Sequence, residues 1–82
     1  MGYRLGNYVP TDPLTFSQAL TVVRAGGNVF AVSEKHAYKL ARAAGYGRIP
    51  EWDPPHGGLG YYKYYHAKKS DRERMGGHIF YL

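Results

Sequence analysis

The shortness of the chain is the strongest constraint on its fold, because 82 residues hold only one hydrophobic core. A domain of this size buries only about 60–65% of the surface of its unfolded chain, so its stability is marginal. The sequence contains no cysteine, which excludes a disulfide framework, a thiolate zinc site and a catalytic cysteine. Its apolar stretches are far shorter than the roughly 20 residues that cross a bilayer. We therefore expect one domain over residues 1–82 with no membrane-spanning segment.

Two segments have the pattern of helices. Thr15-Phe16-Ser17-Gln18 is a capping-box sequence, and the apolar periodicity that follows it stops at the glycine pair Gly26-Gly27. A second amphipathic helix is predicted to start at the capping residue Ser33 and to run to about Ala44, closed by Gly45.

The remaining segments predict short strands and a long loop. Residues 1–13 and 46–60 are rich in glycine and proline, which favours a lead-in segment and an ordered loop. Strands are predicted over 28–32, 61–66 and 77–82 from their aromatic and β-branched residues. The predicted fold is α+β, with two N-terminal helices packed on a small antiparallel β-sheet. Its parts are the lead-in 1–13, a helical part 14–45, the loop 46–60 and a C-terminal β-hairpin 61–82.

Charge and aromatic content point to a polyanionic partner. Eleven Lys and Arg residues against six Asp and Glu residues give a formal net charge of +5, and nine residues are tyrosine. Basic and aromatic side chains interleaved in this way stack on bases and neutralise phosphates. The alternative is a strand whose tyrosines fill a small core, followed by a solvated charged turn. The candidate nucleic-acid contacts are Tyr61, Tyr65, Lys68, Lys69, Arg72 and Arg74.

Three of the four histidines, His56, His66 and His78, lie in the last 27 residues. If the two C-terminal strands form a hairpin, His66 at the end of one strand faces His78 at the start of the other. Two imidazoles are what metal-free RNA cleavage needs, because one removes the proton of the ribose 2′-hydroxyl and the other protonates the leaving 5′-oxygen. A nearby cation such as Lys63 would stabilise the charged phosphate, and a tyrosine such as Tyr81 would donate a hydrogen bond.

Other interpretations of the same residues remain open. The three histidines with a water molecule are a known zinc pattern, but their spacing matches no standard ligand signature, so neither a metal nor another cofactor is predicted. The histidine pair can also be structural, with each ring satisfied at a strand end. A non-catalytic nucleic-acid-binding module with a basic, tyrosine-rich stacking surface is the main alternative function. A third is a protein-interaction domain whose basic face binds an acidic partner.

The tail of the sequence resembles a known family. Gly60-Tyr61-Tyr62-Lys63-Tyr64-Tyr65-His66 and Gly77-His78-Ile79-Phe80-Tyr81 resemble the C-terminal toxin domains of bacterial polymorphic toxins, of the Rhs and contact-dependent inhibition types. Many of these are ribonucleases of the barnase–EndoU–colicin–RelE class, with N-terminal helices followed by an antiparallel sheet.

This resemblance carries several expectations. It implies that His56, His66 and His78 are catalytic, with Lys63 and Tyr81 close by. It implies an RNA substrate and an acidic immunity protein that neutralises the toxin, so that the domain is a monomer or a heterodimer with its inhibitor. It also implies that the domain is part of a larger secreted or cell-surface effector and acts in the cytoplasm of a target cell.

Overall fold

A computed structural model of the protein describes residues 2–5, 13–53 and 63–81, which form two helices and five strands. In chain order, these elements are β1 (Tyr3–Leu5), α1 (Phe16–Arg24), β2 (Val29–Ala31), α2 (Glu34–Ala44), β3 (Glu51–Asp53), β4 (Lys63–His66) and β5 (Ile79–Tyr81). Both predicted helices are present, and each of the three predicted strand segments contains a strand among its described residues. No helix among the described residues is both long and apolar enough to span a membrane.

Both helices begin at the capping residues that the sequence indicates. The Thr15 hydroxyl accepts the backbone N–H of Gln18 at 3.1 Å, and the Gln18 side chain accepts the N–H of Thr15 at 2.9 Å, which completes a capping box. Ser33 caps α2 by accepting the N–H of His36 at 3.3 Å. Since each cap satisfies backbone donors that a helix leaves unpaired, these bonds fix where the helices start.

The predicted antiparallel sheet beneath two N-terminal helices is wrong. The strands form one mixed sheet in the order β1-β2-β5-β4-β3, in which β2 and β5 are parallel and the other neighbours are antiparallel. A strand precedes the first helix, so helices and strands alternate along the first half of the chain. The physical reason is that β5 returns beside β2 after a long connection, a non-local pairing that local composition does not reveal.

Two of the segment predictions are corrected as well. The lead-in 1–13 contains β1, and the loop 46–60 contains β3. Each is a strand of three residues at an edge of the described sheet, where β1 pairs with β2 and β3 pairs with β4; Tyr3 of β1 also forms an isolated bridge with Leu14. Strands this short depend on the partner strand for their hydrogen bonds, so glycines and prolines nearby do not prevent them.

Side chains alternate between the two faces of the sheet. We call the face covered by α1 and α2 the helix face, and the opposite face the histidine face. The helix face carries the main core, in which Leu40 of α2 and Val29 and Ile79 of the sheet are fully buried. The full core is Tyr3, Ala19, Val23, Val29, Ala31, Ala37, Leu40, Ala41, Ala44, Tyr65, Ala67, Ile79 and Tyr81. The histidine face carries Phe30, Tyr64, His66, His78 and Phe80, whose rings contact one another.

Candidate active site

His66 and His78 lie together on the histidine face. The antiparallel register of β4 and β5 pairs Tyr65 with Ile79, so one step further along it places His66 opposite His78. The centroids of the two imidazole rings are 4.6 Å apart. The expectation that a C-terminal hairpin brings these two histidines together is therefore confirmed.

A glycine contact sets the position of His78. Gly77 packs so closely on Gly27 that a Cβ atom at position 77 would collide with the Gly27 carbonyl oxygen. This close approach brings the start of β5 against the residue before β2, Asn28. The Asn28 side-chain oxygen accepts the backbone N–H of His78 at 2.8 Å and lies 3.3 Å from His78 Nδ1. Glycine at position 77 is therefore what allows Asn28 to orient the second imidazole.

Hydrogen bonds assign the tautomer of each ring. His66 Nδ1 lies 2.9 Å from the carbonyl oxygen of Met75, which can only accept a hydrogen bond, so Nδ1 carries the proton. The same reasoning applies to His78 Nδ1 and the Asn28 oxygen, because that oxygen already accepts the His78 backbone N–H. In a neutral ring of this tautomer, Nε2 is thus the atom that accepts a proton.

Aromatic rings surround the pair. The Tyr64 ring lies 4.7 Å from the His78 ring and 5.4 Å from the His66 ring, and Phe80 stacks on His78 at 5.4 Å. His66 and Tyr64 are both 3% exposed, whereas His78 is half-buried. A ligand can therefore contact His78 in the structure as it stands, and it reaches His66 only after the groups around that ring move.

A carboxylate and two cations extend the site across the sheet. Glu51 of β3 is the register partner of His66, so Asn28, His78, His66 and Glu51 form one line over four strand positions, the cross-strand row. The Glu51 carboxylate lies 3.2 Å from Arg74 and 3.6 Å from Lys68. The row thus places an amide, two imidazoles and a carboxylate in one line, with two cations beside its Glu51 end, so that acid–base groups lie near groups that can bind phosphate.

Two of the residues predicted to be catalytic lie elsewhere. Lys63 and Tyr81 are register partners on the helix face, the side of the sheet away from the histidines. Lys63 is exposed, and Tyr81 is 3% exposed with its hydroxyl donating to Glu34 at 3.3 Å. Adjacent positions on a strand point to opposite faces, so closeness in sequence to a histidine does not place these groups in the row.

Tyr65 does not form an exposed stacking surface either. Its side chain is buried in the core, and its hydroxyl donates to Glu34 at 3.0 Å. Burial, and then the hydrogen bond to the Glu34 carboxylate, raise the pKa of Tyr65 well above its usual range. Burial likewise raises the pKa of Tyr81, against the opposing effect of the Trp52 N–H that donates to it. The hydroxyls of Tyr65 and Tyr81 thus stay neutral and form a hydrogen-bonded network with Glu34.

The other predicted contacts lie in or beside the turn after β4. Lys69 and Arg72 are exposed, and this turn is closed by the Lys69 N–H, which donates to the Glu73 carbonyl at 2.7 Å. Lys68 and Arg74 face each other across the same turn in an isolated antiparallel bridge. His56 and Tyr61 lie outside the described residues. Within the described residues, no group of three His, Asp or Glu side chains is arranged to hold a metal ion.

Comparison with known proteins identifies no family. A scan against protein-family models, a search of curated proteins and a search of solved structures each found no match. The chemistry of the site is therefore inferred from its own residues.

Two residues of the row, Glu51 and Asn28, were not predicted from the sequence. Glu51 carried no signal, because its position opposite His66 follows only from β3, which lies in the segment predicted to be a loop. Asn28 did carry one, since a short amide side chain at the start of a predicted strand often bonds to nearby backbone.

Proposed function

We propose that the protein is a metal-independent endoribonuclease in which His66 and His78 act as the acid–base pair. The observation that supports this is the 4.6 Å approach of the two imidazole rings at the end of β4 and the start of β5. The Nδ1 atoms of both rings are held by oxygen acceptors, so the proposed proton transfers use the Nε2 atoms. The Nε2 atom of His66 is buried, so its part in the reaction requires the groups around that ring to move. Such a pair works when one ring is neutral and the other is protonated.

The reaction is a transphosphorylation. The neutral imidazole takes the proton of a ribose 2′-hydroxyl, whose oxygen attacks the adjacent phosphorus, and the bond from phosphorus to the 5′-oxygen breaks. The protonated imidazole gives its proton to that leaving oxygen, so the products are a 2′,3′-cyclic phosphate and a free 5′-hydroxyl. Each proton transfer of this kind contributes about 10²–10⁴-fold in rate.

Lys68 and Arg74 are the groups that would meet the phosphate. Both lie beside Glu51 at the end of the row, and the Arg74 side chain is half exposed at 49%. A guanidinium and an ammonium stabilise the extra negative charge of the pentacoordinate phosphorus. This role replaces the one that sequence alone gave to Lys63, which lies on the helix face.

The biological setting that we propose follows the resemblance of the tail. The domain acts as a toxin on RNA in the cytoplasm of a target cell, delivered as part of a larger effector, and an acidic immunity protein neutralises it. The net charge of +5 suits both RNA and such an inhibitor. Of the two tyrosines predicted to form the stacking surface of the binding-module alternative, Tyr65 is buried and does not support it, and Tyr61 lies outside the described residues.

The test is cleavage of a labelled RNA by the purified protein in EDTA. We expect cleavage with cyclic-phosphate ends, and loss of cleavage in His66→Gln and His78→Ala. His36→Ala is the matched control, because His36 lies on the exposed surface of α2, remote from the row. Folding of each variant is checked by circular dichroism. Cleavage that stops on chelation, or folded His66 and His78 variants with full activity, would disprove the mechanism.

A further inference from the structure

An exposed aromatic residue lies at the point where the two helices end. Tyr46, in the turn after α2, is 73% exposed and has a positive φ of 55°, and Gly47 follows it with a φ of 90°. A non-glycine residue in the left-handed region is uncommon, and for a bulky side chain it indicates a position fixed by its surroundings. The turn thus presents the Tyr46 ring to solvent.

Three arginines lie at this turn: Arg24 contacts the Tyr46 ring itself, and Arg42 and Arg48 bind the backbone on either side of it. The Arg24 guanidinium lies 4.2 Å from the centre of the Tyr46 ring and donates to the Ala43 carbonyl at 3.0 Å. Arg42 donates to the Gly47 carbonyl at 2.8 and 3.2 Å, and Arg48 donates to the Gly45 carbonyl at 3.0 Å. We call Arg24, Arg42, Tyr46 and Arg48 the Tyr46 cluster.

The arginines retain binding capacity. Each guanidinium has five N–H donors, of which the carbonyls take one or two. Among the residues that the structure describes, no carboxylate forms an ion pair with any of the three. Cations at the carboxyl ends of helices interact favourably with the helix dipole, which explains why Arg24 and Arg42 lie in the last turns of α1 and α2. It does not explain why the ring of Tyr46 is exposed beside them.

The Tyr46 cluster adjoins Lys68, one of the two cations that lie beside Glu51 at the end of the cross-strand row. Gly45, which ends α2, packs on the backbone of Lys68 so closely that a Cβ atom at position 45 would lie 3.0 Å from the Lys68 carbonyl oxygen. From there Lys68 and Arg74 lead to Glu51, the register partner of His66. The Gly45 contact therefore places the Tyr46 cluster next to Lys68, which is one of the two cations that pair with Glu51.

We infer that the Tyr46 cluster is a second contact site for single-stranded RNA, in which a base stacks on Tyr46 and neighbouring phosphates bind Arg24, Arg42 and Arg48. An aromatic platform beside cations that follow a phosphate backbone is the general arrangement for single-strand binding. The choice of RNA rests on the proposed function, since this surface leads to the proposed cleavage site. The site extends the substrate beyond the two nucleotides at the scissile bond.

The binding test uses an RNA of about 12 nucleotides, within the site sizes of about 4–16 nucleotides typical of single-strand-binding folds. All proteins carry His78→Ala so that the RNA stays intact. We expect Tyr46→Leu to weaken binding by about tenfold or more, and Tyr46→Phe to retain it, because only leucine lacks a face for stacking. Equal affinities for the leucine and phenylalanine variants would overturn the inference.

The charge test compares Arg42→Gln with Lys35→Gln, which removes the same charge at the other end of α2. Arg42→Gln should lower the slope of log affinity against log salt by about 0.7, the value for one lost phosphate contact on a single strand. Lys35→Gln should leave the slope unchanged. Equal slopes would contradict the site. Binding of polyglutamate, which represents an acidic protein, is measured as well. If Tyr46→Leu lost polyglutamate binding but kept RNA binding, the RNA site would be contradicted and the ligand would be an acidic protein.

The two proposals fail in different ways. If the enzyme with both histidines does not cleave RNA but the binding pattern holds, the ribonuclease proposal is wrong and the RNA site stands. If the enzyme with both histidines cleaves a dinucleotide as well as the longer RNA, KM is compared for the two substrates. We expect Tyr46→Leu to raise KM for the longer RNA more than KM for the dinucleotide, so that the ratio of the two increases. An unchanged ratio would overturn the second site and leave the ribonuclease proposal intact.

Discussion

The two faces of the sheet use the same kinds of residue for different purposes. On the helix face, Tyr65 and Tyr81 are buried and both donate to Glu34, so their hydroxyls stay neutral. On the histidine face, one position away along each strand, His66 and His78 lie side by side next to ion-paired Glu51. The comparison shows that neighbouring residues of one strand divide into a set that is buried in the core and a set that carries the proposed acid–base groups.

The largest expected effect is on the histidine face. His78→Ala should lower the rate of RNA cleavage by at least about 10²-fold, because it removes one partner of the proton transfer. Tyr81→Phe should leave the rate unchanged, since the Tyr81 hydroxyl points to Glu34 on the other face. Rates under saturating RNA test this. An equal loss in both variants would mean that the division between the faces does not hold for catalysis.

The next effect is on stability and belongs to the helix face. Leu40 is fully buried in the core, so Leu40→Ala should lower the free energy of unfolding by about 2–5 kcal/mol. Val32, which is 61% exposed, is the control, and Val32→Ala should change it by no more than about 0.5 kcal/mol. Urea denaturation measures both. If the two variants were equally stable, the core would not lie where the helices cover the sheet.

A pH dependence distinguishes the faces further. The raised pKa of Tyr65 means that the unfolded chain loses this proton at a lower pH than the folded protein does. Above the ordinary tyrosine pKa of about 10, the folded state binds more protons, so stability decreases as the pH rises. Tyr65→Phe should lower the free energy of unfolding by about 0.5–1.5 kcal/mol at neutral pH, because it removes the hydrogen bond to Glu34. The free energy of unfolding of this variant should also decrease less steeply at alkaline pH. Denaturation midpoints between neutral and alkaline pH provide the measurement, and an unaltered slope would exclude Tyr65 as a source.

The smallest effect is expected at Glu51. Its ion pairs with Lys68 and Arg74 are partly exposed, so Glu51→Gln should change the free energy of unfolding by about 1 kcal/mol or less. The same change leaves both cations without this carboxylate, and we expect RNA to bind a few-fold more tightly at low salt. Fluorescence titration at two salt concentrations would show it. Weaker binding would instead make Glu51 a direct RNA contact.

The parts of the molecule that sequence predicted are those set by nearby residues. Thr15 with Gln18 defines one helix start, and Ser33 with Gly45 defines both ends of the other, because capping depends on residues within one turn. The approach of His66 to His78 was predictable for a related reason: it follows from hairpin pairing alone.

The parts that sequence missed depend on distant partners. β1 and β3 form only because β2 and β4 supply their hydrogen bonds, and the parallel pairing of β2 with β5 joins residues about 50 positions apart. The face on which a tyrosine lies depends on that pairing too. Sequence alone therefore predicts a nucleic-acid contact at Tyr65 and a catalytic role for Tyr81, although the fold places both side chains in the core.

The contact between Gly27 and Gly77 lies where two ribbons of the sheet meet, β1–β2 on one side and β5–β4–β3 on the other. The second ribbon carries His66, His78 and Glu51, and the first supplies Asn28, which orients His78. A fragment that lacks the first ribbon would thus contain both imidazoles and still lack the group that aims one of them. Pairing of β5 with β2 therefore also positions the His78 ring, so the proposed mechanism predicts that a chain in which these two strands have not paired does not cleave RNA.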